Sequence, residues 1–158
     1  MNDRLTQSDI DKMQKEIEHR KLVLRKQLLE DVKETRAHGD LSENFEYYAA
    51  KREKNRNESR IRYLDRMIRT ANIISEESAE DEVGIGDEVT LHFEEDDYED
   101  VFCLVTTMGA DSLNNKISIE SPIGRAIRGQ KVNARRKVVA GNGEEFYITI
   151  TKIDKGGK

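Results

Sequence analysis

The sequence contains no tryptophan, one proline and one cysteine among its 158 residues. Because proline interrupts helices, its confinement to Pro122 leaves everything upstream free to form long helices. Cys103 has no partner for an internal disulfide, and its alternating apolar surroundings predict a buried strand thiol. No apolar run approaches the roughly 18 residues of a membrane span, and the polar, acidic N-terminus is unlike a signal peptide. We therefore expect a cytoplasmic protein with no membrane partner.

The chain is too polar for one large core, since 37% of its residues are charged and 35% are hydrophobic. Its charge is also unevenly distributed. Residues 1–76 contain 17 Lys and Arg against 15 Asp and Glu, whereas residues 77–158 contain 10 against 17. This contrast predicts two modules that meet different partners.

Two long amphipathic helices are predicted in the N-terminal half. Apolar residues recur at three-, four- and seven-residue steps over positions 8–37, with Ser8 as the expected N-cap. A second uninterrupted stretch covers positions 43–74. Neither helix can bury its apolar stripe alone, and the turn between them is short, so they should fold back on each other. Residues 1–76 should form an antiparallel coiled-coil hairpin with its tip at 38–46.

The hydrophobic pattern changes to a period of two beyond an acidic linker at 77–82. Four short runs alternate in this way: Val89, Leu91 and Phe93; Val101, Cys103 and Val105; Ile117 and Ile119; Phe146, Ile148 and Ile150. One short helix fits at about 122–128, with Pro122 in its first turn. The predicted fold class is α+β, a helical hairpin followed by a small antiparallel-sheet domain at 83–158.

Three carboxylates lie at the predicted tip, on Asp40, Glu43 and Glu46. Oxygen ligands of this kind suit Mg²⁺, which commonly takes one or two carboxylates together with waters and phosphates. An Asp at an N-cap followed by Glu three residues later is also a capping box, and the spacing alone favours that interpretation. A convex tip could supply only part of a metal's coordination shell, so catalysis there would require a second protein.

The second predicted helix is rich in positive charge. Between positions 51 and 69 only three acids accompany its eight cations, which are Lys51, Arg52, Lys54, Arg56, Arg60, Arg62, Arg66 and Arg69. Such a run indicates either a solvated helix face or a strip that binds phosphates.

Aromatic side chains follow the tip directly, at Phe45, Tyr47 and Tyr48. Some of them are predicted to pack against the first helix, and one near the tip could alternatively stack on a base.

Two separate strings then point to a family. The segment His38-Gly39-Asp40-Leu41-Ser42-Glu43-Asn44 closely resembles the tip loop of bacterial Gre transcript-cleavage factors. Ser121-Pro122-Ile123-Gly124-Arg125-Ala126-Ile127-Arg128-Gly129 resembles the hallmark of that family's C-terminal domain. The resemblance covers nearly the whole chain, although Gln130 and Lys131 stand near a turn where the family usually has Gly-Asp.

The resemblance implies an FKBP-like C-terminal domain that docks on bacterial RNA polymerase through Ser121, Pro122 and Ile123. The hairpin would extend down the secondary channel of the polymerase. There Asp40 and Glu43 would be the catalytic acids that help to hold a second Mg²⁺, shared with the polymerase active site.

The remaining implied roles concern support and RNA binding. Glu46 and Tyr47 would support the tip, and the nascent backtracked RNA would contact Lys51, Arg52, Lys54, Arg56 and Arg60. The chain, acting as a monomer, would stimulate the polymerase's own endonucleolytic cleavage of the RNA 3′ end and would not itself be an enzyme.

Three alternatives remain at this stage. A Gre-like paralogue could occupy the same channel and inhibit the polymerase without stimulating cleavage. The C-terminal module could be a peptidyl-prolyl isomerase, which would need an aromatic-lined pocket built from Phe93, Tyr98, Phe102, Phe146 and Tyr147. The hairpin could also be a structural adaptor that binds another helix.

Overall fold

The computed structural model describes residues 3–37 and 44–156, which divide into two compact units. The first unit contains Gln7–Asn72, and the second joins Arg4–Thr6 to residues 73–156. Within these described ranges no helix combines the length and apolarity that a membrane crossing requires. The predicted division at a linker over 77–82 stays a prediction.

The first unit is a helical hairpin, as predicted. One arm comprises three consecutive helical segments, which are α1 (Gln7–His19), a π-helical segment (Arg20–Leu24) and α2 (Arg25–Arg36). The other arm is α3 (Phe45–Thr70), whose 26 residues span about 39 Å at the rise of an α-helix. The backbone stays in the right-handed helical region through His19, Leu24 and Arg25, so the π segment widens the first arm without breaking it.

The core of the hairpin follows the predicted apolar stripes. Ile10 and Met13 are buried on α1, and Ile61 and Leu64 are buried on α3. These spacings of three residues place each pair on one helix face, which is the face that can exclude water. Towards α2 the stripe is only half-buried, because two helices cannot enclose each other completely.

The helix ends differ from the prediction in three places. The first arm begins at Gln7, so Ser8 is inside the helix and is not its N-cap. Asn44 caps α3, where the predicted capping box had Asp40 as the N-cap. The second arm ends at Thr70, because residues 72–74 form β2 (Asn72–Ile74) in a two-stranded sheet with β1 (Arg4–Thr6).

The second unit contains a five-stranded sheet in the order β5-β4-β3-β7-β6. Its strands are β3 (Glu88–Phe93), β4 (Tyr98–Val105), β5 (Lys116–Ser118), β6 (Arg135–Val139) and β7 (Glu145–Asp154). Three pairings are antiparallel, but β5 runs parallel to β4, so the sheet is mixed rather than purely antiparallel. The short helix α4 (Pro122–Ile127) follows β5 and confirms the predicted helix.

The core of this unit is built from alternating strand residues, as the period of two predicted. Val89, Leu91, Leu104, Ile148 and Ile150 are fully buried, together with Ile127 of α4. Cys103 lies in β4 as predicted but is only half-buried, and desolvation raises the pKa of its thiol. Strand β6 was not predicted, because its sequence is mostly basic and only Val138 is buried.

Candidate functional site

The connection between the two arms is anchored at both ends by Asn44. Its Oδ1 accepts a hydrogen bond from the backbone N–H of Tyr47 at 2.9 Å, which caps α3. Its Nδ2 donates to the backbone carbonyl of Thr35 at 2.6 Å, in the last turn of α2. One side chain therefore ties the start of α3 to the end of α2, and eight residues, 37–44, separate the two helices in sequence.

The predicted tip acids Asp40 and Glu43 belong to that connection and lie outside the described residues. Both are carboxylates, which are the hard oxygen donors that Mg²⁺ prefers. In the described ranges 3–37 and 44–156, no group of three or more His, Cys, Asp or Glu side chains converges as metal ligands would. The case for a Mg²⁺ site on this chain therefore rests on the carboxylate oxygens of Asp40 and Glu43, which are the kind of ligand that this ion prefers.

The first turn of α3 places the other predicted tip residues. Glu46 is exposed in that turn, and Tyr47 is half-buried. The Tyr47 and Tyr48 rings meet edge to face, with centroids 5.4 Å apart. The sequence predicted that some of these aromatics pack against the first arm. Phe45 does not, because its side chain is 82% exposed.

The basic residues of α3 lie mainly on the helix face opposite to its buried stripe. They differ in whether they form an ion pair and in which carboxylate they pair with. Arg56 pairs with Glu53 at 2.7 Å, and Arg69 pairs with Asp65 at 3.2 Å. These are exposed pairs within one helix, which contribute little to stability. Lys51 and Arg52 have no ion-pair partner among the described residues, so their charges are available to an outside anion.

Arg60 differs from the rest of the predicted strip because it joins the two arms. Its guanidinium bonds to the Glu16 carboxylate of α1 at 2.9 Å, and Arg20 bonds to the same carboxylate at 2.8 Å. The hydrogen bond from Arg60, with support from Arg20, lowers the pKa of Glu16 to about 2. The structure therefore gives Arg60 a partner inside the hairpin, where the sequence had suggested an RNA contact.

The predicted docking residues are fixed by the start of α4. Ser121 Oγ accepts from the Gly124 N–H at 3.0 Å and donates to the Ser118 carbonyl at 2.6 Å. Pro122 occupies the first turn, where its missing N–H costs nothing. Position 124 has no room for a residue larger than glycine, because a Cβ at Gly124 would collide with the carbonyl oxygen of Ser118.

These docking residues line a shallow apolar depression of about 220 Å³. Its walls come from α4 and from the neighbouring strands and loop, and are Ile117, Ser121, Pro122, Ile123, Val138, Ala140 and Phe146. Pro122 is exposed and Ile123 half-buried, so apolar surface is presented to solvent here. A surface of this kind suits contact with an apolar patch of another protein.

The roles of Asn44 and Glu16 were not predicted from the sequence. The signal for Asn44 was present, since Asn directly before a helical run is a preferred N-cap. Glu16 had no such signal, because only the packing of the two arms brings it to Arg60, 44 residues away.

These features define a binding protein with two modules. One module is a helical hairpin with a basic helix face and acids in the connection between its arms, and the other is a sheet domain with an apolar patch. The family model for the N-terminal domain of the GreA/GreB transcription elongation factors matches residues 4–73, and that for the C-terminal domain matches residues 73–155. The chain belongs to the GreA/GreB family of transcription elongation factors.

Relatives with similar sequences carry the same family name. Transcription elongation factor GreA of Acholeplasma laidlawii is 40% identical over 149 residues, which cover 94% of each chain. The GreA protein of Streptococcus pneumoniae is also 40% identical, over 96% of this chain and 94% of its own. The crystal structure of GreA factor homolog 1 of Thermus thermophilus aligns over 98% of this chain and all of its own, with a TM-score of 0.45 and 24% identity.

Proposed function

We propose that this protein binds bacterial RNA polymerase and stimulates endonucleolytic cleavage of the 3′ end of backtracked RNA in the polymerase active site. The hairpin enters the secondary channel, and Asp40 and Glu43 help to hold a second Mg²⁺ that is shared with the polymerase. The cleavage activity belongs to the polymerase, and the chain works as a monomer. Membership of a family of transcription elongation factors supports RNA polymerase as the partner.

The observation that carries the proposal is the double hydrogen bonding of Asn44. It caps α3 and holds the end of α2 through Thr35, so the ends of the segment that contains Asp40 and Glu43 are fixed relative to each other. Fixing these ends lowers the conformational entropy that the segment loses when its acids bind a cation.

The role of the two acids follows from their charge and donor chemistry. Two added carboxylates raise the occupancy of a cation whose coordination shell the polymerase leaves incomplete. When bound, a second Mg²⁺ activates the attacking water and stabilises the leaving oxygen of an in-line displacement. Glu46 and Tyr47, in the first turn of α3, support the tip.

The other surfaces account for the remaining contacts. Lys51 and Arg52 are exposed one to two turns beyond the tip and hold the phosphates of the extruded RNA. Lys54 and Arg56 extend this basic surface along α3. The apolar depression around Pro122 and Ile123 docks the second unit on the polymerase.

The test uses stalled, backtracked elongation complexes made with RNA labelled near its 5′ end. The variant Asp40→Asn with Glu43→Gln removes both charges and keeps the side-chain sizes. A matched control, Glu18→Gln with Glu30→Gln, removes two exposed charges from the first arm. Binding to the polymerase is measured separately, by competition with labelled parent protein.

We expect the tip variant to bind as the parent does and to lose Mg²⁺-dependent shortening of the RNA by about 100-fold or more, as loss of a transition-state contact does. The control should cleave like the parent. Equal cleavage by the tip variant would overturn the role of the acids. A parent protein that binds, leaves the RNA unchanged and slows synthesis would instead establish an inhibitory paralogue.

A further inference from the structure

The second unit contains an aromatic cavity that the proposed cleavage function does not use. Its volume is about 230 Å³, and it lies at the β3–β4 hairpin beside the start of β7. Phe93, Tyr98, Phe146 and Tyr147 line it together with two carboxylates, Glu95 and Asp96. Four aromatic residues that are scattered in the sequence therefore meet at one opening.

Close ring packing builds the floor of this cavity. Phe93 and Tyr98 are paired across the β3–β4 hairpin, and their rings stack at 4.8 Å with only 8° between the planes. The ring centroid of Phe146 lies 6.2 Å from that of Phe93, with 26° between the ring planes. Tyr98 is 46% exposed, so an aromatic surface remains available to a ligand.

The two carboxylates in the lining have no partner within residues 3–37 and 44–156. Neighbouring acids of the same loop are paired, since Glu94 bonds to Arg135 at 2.9 Å and Asp97 to His92 at 2.8 Å. Glu95 and Asp96, by contrast, form no hydrogen bond or ion pair with any residue that the structure describes. An aromatic surface next to unpaired carboxylates attracts a cation, because the negative ring face and the carboxylates act together.

The same edge of the sheet already binds one arginine in this way. The Arg135 guanidinium lies 3.9 Å from the Tyr147 ring centroid and also bonds to the Glu94 carboxylate. The cavity repeats this combination of ring and carboxylate, and the residues described as lining it include no cationic side chain. We propose that it binds the cationic side chain of a lysine or arginine presented by an exposed basic segment of a partner protein.

The dimensions and charge fit that occupant. The aliphatic stem of a Lys or Arg side chain can lie along the rings of Phe93 and Tyr98 while its charged head reaches the carboxylates. The C-terminal half of the chain, with its excess of acidic residues, attracts basic segments over a longer range. A proline ring, as a prolyl isomerase would require, makes no use of Glu95 or Asp96.

The experiment is a titration of ¹⁵N-labelled full-length protein, followed by the backbone amide shifts of residues 93–98 and 146–147. The probes are the blocked pentapeptide Gly-Ser-Arg-Ser-Gly and the same peptide with citrulline, which has the size of arginine but no charge. We expect saturable shifts at these amides, with the arginine peptide binding about fivefold more tightly, as for a cation–π contact combined with exposed ion pairs.

Two variants and a matched control distinguish this site from long-range attraction. Glu95→Gln with Asp96→Asn should reduce arginine-peptide binding to the citrulline level, and Tyr98→Leu should weaken it by a similar factor. Glu76→Gln with Glu77→Gln removes two charges elsewhere in the same unit and should leave the affinity within about twofold. Equal binding of the two peptides, equal effects of the two charge-removal variants, or no saturable shift would each overturn the proposal. The outcome does not depend on RNA cleavage.

Discussion

Asn57 and Arg20 are joined by two hydrogen bonds across the hairpin. Arg20 Nη1 donates to Asn57 Oδ1 at 2.9 Å, and Asn57 Nδ2 donates to the backbone carbonyl of Arg20 at 3.2 Å. That carbonyl begins the π-helical segment and also accepts from the backbone N–H of Arg25. Asn57 is only 3% exposed and occupies a position of the apolar stripe that contains Ile61 and Leu64. A buried, paired polar residue at such a position can set the register of two helices.

Replacement of this asparagine should therefore weaken the hairpin. Asn57→Ala removes both hydrogen bonds and leaves the Arg20 guanidinium with one partner fewer, so we expect a loss of about 1–2 kcal/mol in the free energy of unfolding. Urea denaturation followed by circular dichroism measures it. Asn55→Ala, two residues away and exposed, should change stability by less than about 0.5 kcal/mol. Similar losses in the free energy of unfolding for the two variants would show that the buried hydrogen bonds of Asn57 do not stabilise the hairpin.

The ion pairs of Glu16 predict a specific dependence of stability on pH. Because Arg60 and Arg20 lower its pKa from 4.5 to about 2, Glu16 stabilises the fold fully above pH 4.5, and this contribution is lost as the pH falls towards 2. Glu16→Gln should cost about 1 kcal/mol at pH 7, since the pair is partly screened by solvent. The difference from the parent protein should shrink between pH 4.5 and pH 2.

Unfolding by urea at a series of pH values tests this dependence. Glu18→Gln, at an exposed position on the same helix, is the matched control and should differ little from the parent throughout. A difference between Glu16→Gln and the parent that stays constant down to pH 2 would contradict the assignment of the lowered pKa to Glu16.

Lys155 should be important for the stability of the second unit. Its Nζ bonds to Ser78 Oγ and the Glu82 carbonyl at 2.8 Å, to the Ala79 carbonyl at 3.1 Å, and to the buried carboxylate of Asp87. Lys155→Met removes the cation and leaves the Asp87 carboxylate, only 4% exposed, without its charged partner. We expect a loss of about 3 kcal/mol in the free energy of unfolding, as for other broken buried pairs.

Thermal and urea unfolding measure this loss. Lys152→Met is the matched control, because Lys152 is exposed and its nearest carboxylate, that of Asp154, is 3.6 Å away. It should cost less than about 0.5 kcal/mol. Adding Asp87→Asn to Lys155→Met should recover part of the loss, and no recovery would argue against an uncompensated charge as its cause.

Gly124→Ala should disrupt the start of α4. The added methyl group would collide with the Ser118 carbonyl oxygen, which also accepts the hydrogen bond from Ser121 Oγ. We expect a loss of about 1–3 kcal/mol in unfolding free energy, together with weaker polymerase binding, because the backbone must move. Gly141→Ala is the control, since a Cβ there meets nothing within 4 Å. Unchanged stability and binding of the Gly124 variant would contradict the close packing of this turn.

The sequence predicted the elements whose signals are local. The stripe that includes Ile61 and Leu64 predicted α3, and Pro122 after Ser121 predicted α4, because helix periodicity and capping depend on neighbouring residues. The alternation around Leu91 and Ile148 predicted strands for the same reason, and both residues lie in strands. Two strings of sequence predicted the family, which is confirmed. The roles that the resemblance gives to the tip acids and the docking residues stay predictions.

Features that depend on long-range pairing were missed. The end of α3 was placed too late because Ile74 continues the apolar pattern, and only pairing with β1 makes residues 72–74 extended. The parallel pairing of β5 with β4 was missed, since strand direction depends on how the connection returns to the sheet. Four of the five aromatics named for a possible isomerase pocket do line one cavity, but their meeting with Glu95 and Asp96 was missed, because these residues come together only across the folded sheet.

By itself, the sequence determined two amphipathic helices, an alternating strand pattern, the charge of each half and the family. These follow from the order of apolar and polar side chains along the chain. The tertiary structure alone decided that Arg60 bonds to Glu16, that Lys155 reaches Asp87 and that Glu95 and Asp96 stand beside an aromatic surface. Each of these relationships joins charges or rings that are distant in sequence, and their distances exist only once the helices and strands have packed.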